Sequence, residues 1–144
     1  MSVPNVMPEE ASKLVKIDGY NYVDVRSVAE FNQGHPTPAV NIPILHMDIN
    51  SGQMTPNTDF VRVVKANFPI DTKLVLGCRS GQRSNTAAQL LQSIGYNNVV
   101  NMRGGFSGER TPSGDVITQG WEELNLGVSC DSDESSSYDF LATK

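Results

Sequence analysis

Cysteine and histidine are scarce in this chain of 144 residues, which has two of each. Two cysteines do not make a disulfide framework, and neither belongs to a CxxC or Cys/His spacing, so the sequence predicts no metal site. No apolar run approaches the ~20 residues that a membrane helix needs, and the N-terminal residues lack the basic and apolar regions of a signal peptide. We therefore expect a cytoplasmic protein without a membrane segment, and we predict no cofactor.

Basic residues are also too few to suggest a nucleic-acid-binding surface. Lys and Arg number 11 against 16 Asp and Glu, which gives a formal net charge of −5. The segment 131–144, DSDESSSYDFLATK, holds four of the acids and one base. We expect residues 131–144 to form an acidic, serine-rich and mobile tail, and residues 1–130 to form one domain. We also expect a monomer that binds no nucleic acid.

Strand-like and helix-like segments alternate along the chain. Dense apolar and β-branched residues predict strands at 20–26, 39–43, 73–78 and 97–102. Helical spacing of apolar residues predicts helices at 8–18, 27–34, 60–68, 83–96 and 121–127. Nearly continuous apolar strands are typical of a parallel sheet that is covered on both faces. The sequence therefore predicts an α/β fold with three layers.

Local signals add detail to this pattern. Ser27 and Glu30 have the spacing of a capping box, so Glu30 is expected to cap a helix. The stretches 46–59 and 103–120 are predicted as loops, and the second is rich in glycine, with one short extended piece at 115–118.

Cys78 stands where a predicted strand ends, shortly before a helix begins. Ligands of open α/β sheets bind at the carboxyl ends of the strands, and the N–H groups of a tight turn and of a helix N-terminus stabilise an anion there. The residues that follow supply cations, hydroxyls and a flexible glycine: Arg79, Ser80, Gly81, Gln82, Arg83 and Ser84. We predict that Cys78 is a nucleophile in its thiolate form, and that Arg79 and Arg83 hold an anionic substrate.

With these motifs the sequence resembles the rhodanese family of sulfurtransferases. YVDVRSVAEFNQGH (22–35) is similar to the family's Asp-Val-Arg strand, Glu-Phe helix and Gly-His turn, and AVNIP (39–43) follows as it does there. CRSGQRS (78–84) resembles the six-residue active loop and the serine after it, and SIGYNNVVNMRGGFSG (93–108) resembles the next strand and double-glycine turn. The resemblance implies a rhodanese-like domain over 1–130 with a five-stranded parallel sheet and an extended loop insertion at 103–120.

The resemblance also implies a reaction. Cys78 attacks the outer sulfur of thiosulfate or a related small anionic donor, and a persulfide forms on Cys78. The backbone N–H groups of residues 79–83 hold its terminal sulfur, and cyanide, a thiol or a protein acceptor then takes it. Four further residues are expected to give structural support: Asp24 and Arg26 as a brace between strand and loop, Glu30 as a helix cap, and His35 as a turn and packing residue.

Alternatives remain open for the reaction. Rhodanese-fold phosphatases and arsenate reductases have five residues between Cys and Arg, whereas four residues (79–82) separate Cys78 from Arg83 here. The shorter loop favours sulfur over phosphorus or arsenic. A third alternative is that the domain is not a turnover enzyme but a persulfide carrier or an interaction module. Cys130 is either a relay for sulfur, a resolving thiol or an inert side chain.

Overall fold

Strands and helices alternate in the structure, a computed structural model that describes residues 3–48, 50–130 and 134–144. The strands are β1 (Asn5–Val6), β2 (Asn21–Asp24), β3 (His35–Pro36), β4 (Val40–Asn41), β5 (Leu45–Met47), β6 (Met54–Pro56), β7 (Leu74–Gly77), β8 (Val99–Met102), β9 (Glu109–Arg110), β10 (Val116–Thr118) and β11 (Val128–Ser129). The helices are α1 (Pro8–Ile17), α2 (Val28–Gln33), α3 (Phe60–Asn67), α4 (Gln82–Ser93) and α5 (Tyr138–Leu141), with a 3₁₀ turn at Glu134–Ser136.

Five strands form the central sheet in the order β1-β8-β7-β2-β4, and every neighbouring pair is parallel. All four residues of the central strand β7 are buried. Its successive side chains point to opposite faces of the sheet, as the pleat requires. Leu74 packs with residues of α3 and α4, whereas Val75 packs with residues of α1 and α2. The predicted three-layer α/β fold with a five-stranded parallel sheet is therefore confirmed.

The edge strand β1 was missed by the sequence patterns. It is only two residues long, and its pairing partner is β8, almost a hundred residues further along the chain, with Asn5 opposite Asn101. A strand this short has no period of its own, because it cannot show an alternation of apolar and polar residues. Its position follows from the hydrogen bonds that β8 offers at the sheet edge.

Both segments that were predicted as loops contain short hairpins. β5 and β6 pair antiparallel, with His46 opposite Thr55, and this hairpin begins at Leu45, one residue before the predicted loop 46–59. β9 and β10 pair antiparallel within 103–120, and β10 corresponds to the extended piece expected at 115–118. The structure adds the partner strand β9, which the sequence patterns do not predict.

Residues 121–127 do not form the predicted helix. They form a series of turns in which Asn125 adopts a left-handed φ of 55° and Gly127 one of 105°, and these conformations interrupt a helix. The spacing of the apolar residues instead reflects packing, because Trp121 lies in a core cluster and Leu126 packs against it. Trp121 is fully buried, and its indole N–H donates a hydrogen bond of 2.7 Å to the Gly127 carbonyl.

The acidic tail differs from expectation in its last part. α5 packs on the core beside α3, and Leu141 is 5% exposed. Asn67 Nδ2 donates a 3.0 Å hydrogen bond to the Leu141 carbonyl. The expectation of a mobile tail is therefore corrected for Tyr138–Leu141, because three apolar side chains there are enough to dock a short helix. The prediction for 131–133 concerns positions that lie outside the described residues.

Among the described residues, none of the helices has the length and apolar character needed to cross a membrane.

Candidate active site

The sulfur of Cys78 is the centre of a set of hydrogen-bond donors at the carboxyl end of β7. The residue is 2% exposed. Its Sγ atom lies 3.1 Å from the Gly81 amide nitrogen, 3.3 Å from the Ser84 amide nitrogen and 3.3 Å from Ser84 Oγ. Two N–H groups thus donate to one sulfur, which is the arrangement that stabilises a thiolate or another sulfur anion, and the Ser84 hydroxyl oxygen lies beside them.

The same sulfur caps helix α4. The N-cap residue is Gly81, which has no side chain to cap with and has a left-handed φ of 109°. Ser84 is the third residue of the helix, and its N–H is one that normally donates a hydrogen bond to the side chain of the N-cap residue. Cys78 Sγ takes this place from outside the helix, which puts the positive end of the helix dipole against the sulfur.

The active loop, residues 78–83, also has backbone donors to spare. In the part of the chain that the structure describes, the N–H groups of Arg79, Ser80, Gln82 and Arg83 donate to no acceptor. The last two belong to the first helical turn, where intrahelical acceptors are missing in any α-helix. These groups are available to a second sulfur atom or to a bound anion.

A buried asparagine stands behind Ser84. Asn101 Oδ1 lies 2.5 Å from Ser84 Oγ, and Asn101 Nδ2 donates to Asn5 Oδ1 at 2.9 Å and to the Gly81 carbonyl at 3.3 Å. Sequence reasoning did not select Asn101 or Asn5. The signal for Asn101 was present, because it is the one polar residue within the buried strand β8.

Arg83, predicted to hold an anionic substrate, is paired with a carboxylate of the protein itself. Its guanidinium makes a two-pronged ion pair with the Glu30 carboxylate, at 2.8 and 3.0 Å. Ser27 N and Ser27 Oγ donate to the same carboxylate, and the predicted capping box of α2 is present. Burial alone would raise the pKa of Glu30, but the hydrogen bonds and charge of Arg83, together with those from Ser27, lower it from 4.5 to about 2.

Asp24 and Arg26 form the expected brace. Arg26 Nε lies 3.0 and 3.1 Å from the two Asp24 oxygens, and Arg26 Nη2 lies 2.8 Å from Oδ2, with both side chains buried. Arg26 also donates to the Gly34 carbonyl at 2.7 Å and stacks 4.5 Å from the centre of the Phe106 ring. Burial opposes the charge of Arg26, yet the hydrogen bonds and charge of Asp24 raise its pKa. The pair ties β2 to the start of β3.

His35 lies in a packing position, as expected. It is 2% exposed, its ring stacks on Phe31 with 3.7 Å between the ring centroids, and Nδ1 lies 2.7 Å from the Phe31 carbonyl oxygen. His35 is absent from the lining of the cavity beside the active loop.

The double-glycine turn holds the active loop from the other side. The Phe106 and Ser107 N–H groups donate to the Cys78 and Arg79 carbonyls at 2.8 and 2.9 Å. Gly105 has a left-handed φ of 61°, and a Cβ atom there would lie 2.5 Å from the Cys78 carbonyl oxygen. Glycine is therefore required for this close approach.

A cavity of about 330 Å³ opens beside the active loop. Its lining residues are Arg26, Glu30, Gln33, Gly34, Arg79, Phe106, Ser107 and Glu122. Arg79 is exposed and takes part in no ion pair within the described ranges. Of the two arginines predicted to hold an anionic substrate, Arg79 is thus the one with a free guanidinium.

The remaining loop residues lie on another side. Ser80, Gly81 and Gln82 line a shallow polar cavity of about 180 Å³ together with Asn101 and Glu109.

Cys130 lies near the larger cavity without lining it. Its thiol is exposed and stands 3.5 Å from the carbonyl oxygen of Gln33. Within the described residues, no group of three or more His, Cys, Asp or Glu side chains is arranged to hold a metal ion.

The chain matches the family model described as the rhodanese-like domain over residues 7–109. It is 34% identical over 106 residues to rhodanese-like domain-containing protein 15, chloroplastic, of Arabidopsis thaliana, a match that covers 74% of this chain and 57% of the relative. It is 33% identical over 105 residues to thiosulfate sulfurtransferase 16, chloroplastic, of the same plant, covering 73% of this chain and 86% of the relative.

A further Arabidopsis relative carries a different name. Protein HIGH ARSENIC CONTENT 1, mitochondrial, is 36% identical over 89 residues, which cover 62% of this chain and 52% of the relative. Several of the relatives are therefore longer than the matched region, which spans little more than half of their length.

The fold has solved counterparts. The crystal structure of Rv0390 from M. tuberculosis superposes with a TM-score of 0.73 at 24% identity, covering 91% of this chain and all of the other.

Proposed function

The chain belongs to the rhodanese-like domain family, and we propose that it transfers sulfur from thiosulfate or a related small anionic donor to a thiophilic acceptor through a persulfide on Cys78. One observation carries the proposal: two backbone N–H groups donate to the buried Cys78 Sγ, with donor–sulfur distances of 3.1 and 3.3 Å. A buried sulfur with these donors has the electrostatic surroundings of a nucleophilic thiolate.

In the first step the Cys78 thiolate attacks the outer sulfur of thiosulfate. The new Cys78 S–S bond forms as the bond between that sulfur and the sulfite sulfur breaks, and sulfite leaves with the electron pair. Total charge is conserved, because a thiolate and a dianion give a persulfide anion and a dianion. The exposed guanidinium of Arg79 attracts the donor, and the spare N–H groups of the active loop receive the terminal sulfur.

In the second step an acceptor thiolate attacks the terminal sulfur. The S–S bond to Cys78 breaks, Cys78 leaves as a thiolate, and the acceptor departs as a persulfide. Cyanide in place of the thiolate gives thiocyanate by the same displacement. The hydrogen bonds that hold the resting thiolate also stabilise it as the leaving group. Because sulfite leaves before the acceptor reacts with the covalent persulfide, the cycle is of the ping-pong type.

Arsenate or phosphate-ester chemistry is the second candidate, because one relative is named for high arsenic content. Two features argue against it. Only four residues separate Cys78 from Arg83, and Arg83 is engaged with Glu30 rather than free to hold a tetrahedral anion. The next position, Ser84, is buried against the sulfur instead of supplying a guanidinium.

The test is intact-protein mass spectrometry after exposure to thiosulfate and, separately, to 3-mercaptopyruvate. We expect the mass of one added sulfur atom in the wild type and in Cys130→Ser, and no addition in Cys78→Ser. A wild-type mass that no sulfur donor changes would contradict the proposal. Activity on arsenate or an aryl phosphate without a persulfide would favour the second candidate.

Turnover separates the enzyme from a persulfide carrier. We expect steady release of thiocyanate with thiosulfate and cyanide. A persulfide that forms but that neither cyanide nor small thiols discharge would instead indicate a carrier for a protein partner. Several further expectations stay predictions: the cytoplasmic location, the monomeric state, the absence of nucleic-acid and membrane partners, and a sulfur-relaying or resolving role for Cys130. Four of the relatives are named as chloroplastic.

A further inference from the structure

Four charged side chains line the cavity beside the active loop, and two of them are already neutralised. Arg26 is paired with Asp24, and Glu30 is paired with Arg83. The remaining two are Arg79 and Glu122. Each is exposed, and neither side chain makes an ion pair or a hydrogen bond within the described part of the chain. The cavity therefore presents one free cation and one free anion.

The backbone fixes Glu122 relative to the nucleophile. Its N–H donates a 3.1 Å hydrogen bond to the Phe106 carbonyl, and the Phe106 N–H donates a 2.8 Å hydrogen bond to the Cys78 carbonyl. Only one residue thus stands between Glu122 and the residue that carries the reactive sulfur. Arg79 is held to the same turn, because its carbonyl accepts from the Ser107 N–H at 2.9 Å.

The neighbouring charges leave Glu122 uncompensated. Arg110, a cation close in sequence to the turn, pairs with Glu123 at 2.7 Å, and Arg103 pairs with Glu109 at 3.2 Å. The adjacent carboxylate Glu123 also accepts from the Gly120 N–H. Glu122 is the member of this acidic pair that faces the cavity without a cation of its own.

We propose that Glu122 determines acceptor specificity by binding the ammonium group of a small zwitterionic thiol, an amino-acid or peptide thiol, while Arg79 binds the carboxylate of the same molecule. A free carboxylate and a free guanidinium in one cavity match the two charges of such a thiol, and the carboxylate disfavours acceptors that carry negative charge alone. This inference rests on the proposed sulfurtransferase function.

The bonds that change are those of the second step. The acceptor thiolate attacks the terminal sulfur of the Cys78 persulfide, the S–S bond to Cys78 breaks, and the electron pair returns to Cys78 as a thiolate. The ammonium and carboxylate groups keep their charges throughout. They orient the thiol and raise its local concentration at the active loop.

The test uses three thiols of nearly the same size in single-turnover discharge of the persulfide. Cysteine carries both charges, 3-mercaptopropionate lacks the ammonium group, and cysteamine lacks the carboxylate. Each rate is expressed as the ratio of Glu122→Gln to wild type, so that the intrinsic reactivity of each thiol cancels. Glu10→Gln, an exposed carboxylate outside this cavity, is the matched control.

We expect Glu122→Gln to slow discharge by cysteine and cysteamine about threefold to fivefold, the size of an exposed ion pair. Discharge by 3-mercaptopropionate should rise by about twofold, because a repulsive charge is removed. For the control variant Glu10→Gln, the ratio of its discharge rate to that of the wild type should be near one for all three thiols. Equal changes for the three thiols, or no change with any of them, would overturn the inference.

A binding measurement separates this inference from the proposed function, because it needs no persulfide. S-methylcysteine and 3-(methylthio)propionate are titrated into the protein and followed by NMR shifts of the backbone amides of residues 106–107 and 122. We expect Glu122→Gln to bind S-methylcysteine more weakly than the wild type does, and to bind 3-(methylthio)propionate more tightly. Unchanged relative affinities refute the role of Glu122 even if sulfur is transferred, whereas a missing persulfide with altered affinities refutes only the transfer.

Discussion

Both oxygens of the Glu30 carboxylate accept hydrogen bonds from the Arg83 guanidinium, at 2.8 and 3.0 Å. This pair connects the first turn of α2 with the first turn of α4, where the active loop ends. The same carboxylate also caps α2 through Ser27. The Glu30 side chain therefore fixes the N-terminus of α2 relative to the N-terminus of α4. Arg83 thus acts on the site by positioning the loop, and Arg79 supplies the free positive charge.

The stability of the protein should fall in acid through Glu30. The pKa of its carboxyl is lowered from 4.5 to about 2 in the folded state, so the unfolded chain binds the proton first as the pH falls. The stabilisation is complete above about pH 5 and is lost progressively down to about pH 2. Since the two side chains are 20% and 21% exposed, we expect a loss of about 1–2 kcal/mol in the free energy of unfolding.

Urea unfolding across this pH range tests the assignment. Glu30→Gln removes the titrating charge but keeps an acceptor for the cap, so its unfolding free energy should depend less on pH than that of the wild type. Glu122→Gln serves as the control, because it removes a carboxylate that has no ion pair in the described residues. An equal pH dependence in the wild type and in Glu30→Gln would show that the pair contributes nothing to stability.

Gly105→Ala should disturb the active loop, whereas Gly114→Ala should not. Both glycines have left-handed φ angles, 61° and 95°, so each substitution carries a backbone cost of about 1–2 kcal/mol. Only at Gly105 would the new methyl group meet the Cys78 carbonyl oxygen and the Arg79 backbone, at 2.5 and 2.6 Å, while it meets nothing within 4 Å at Gly114. We expect Gly105→Ala to lose about 2–4 kcal/mol of stability, because crowding is added to strain.

Thermal unfolding and the rate of persulfide formation measure the two effects. Gly105→Ala should form the persulfide more slowly than the wild type, and Gly114→Ala at the wild-type rate. If the two variants lost equal stability and reacted equally fast, the double-glycine turn would not be holding the active loop.

The parts of the fold that sequence could predict are those that local patterns determine. Strand β7 is a four-residue run of buried positions, and the capping box of α2 lies within four consecutive residues, so neighbours in sequence carry the whole signal. β1 and the β9–β10 hairpin have two or three residues per strand. They depend on pairing partners and glycine turns, which short windows do not contain.

The candidate site shows the same division. The sequence could indicate Cys78 as a nucleophile, because the strand, the loop and the helix that surround it are contiguous. It could not indicate that Arg83 faces Glu30, which lies 53 residues away, or that Asn101 stands behind Ser84 from a different strand. Contacts of this kind arise from the order of the strands in the sheet, so arginines that are equivalent in a motif have different roles in the fold.

Ser84→Ala should slow persulfide formation and also lower stability, because the buried Asn101 Oδ1 loses the hydroxyl that lies 2.5 Å from it. The substitution removes the hydroxyl 3.3 Å from Cys78 Sγ and leaves the Ser84 N–H in place. The single proton of this hydroxyl is donated to Asn101 Oδ1, and Asn101 Nδ2 donates in turn to the Gly81 carbonyl of the active loop. Loss of this link should lower the free energy of unfolding by about 1–3 kcal/mol and slow persulfide formation by about tenfold. Ser93→Ala, an exposed hydroxyl on the same helix, is the control. Equal rates of persulfide formation in Ser84→Ala and Ser93→Ala would show that the Ser84 hydroxyl does not contribute to the reaction.

The acidic C-terminal segment should contribute to stability through Leu141. This side chain is 5% exposed and belongs to the core cluster that contains Val63 and Val64 of α3, while its carbonyl accepts from Asn67 Nδ2. Because the site lies near the surface and can relax, we expect Leu141→Ala to lower the free energy of unfolding by about 2 kcal/mol, the low end for Leu→Ala. Leu90→Ala, at a site that is 37% exposed on α4, should change it by less than about 1 kcal/mol. Urea unfolding of both variants decides between a docked and a mobile segment, since a mobile one would make Leu141→Ala as neutral as Leu90→Ala.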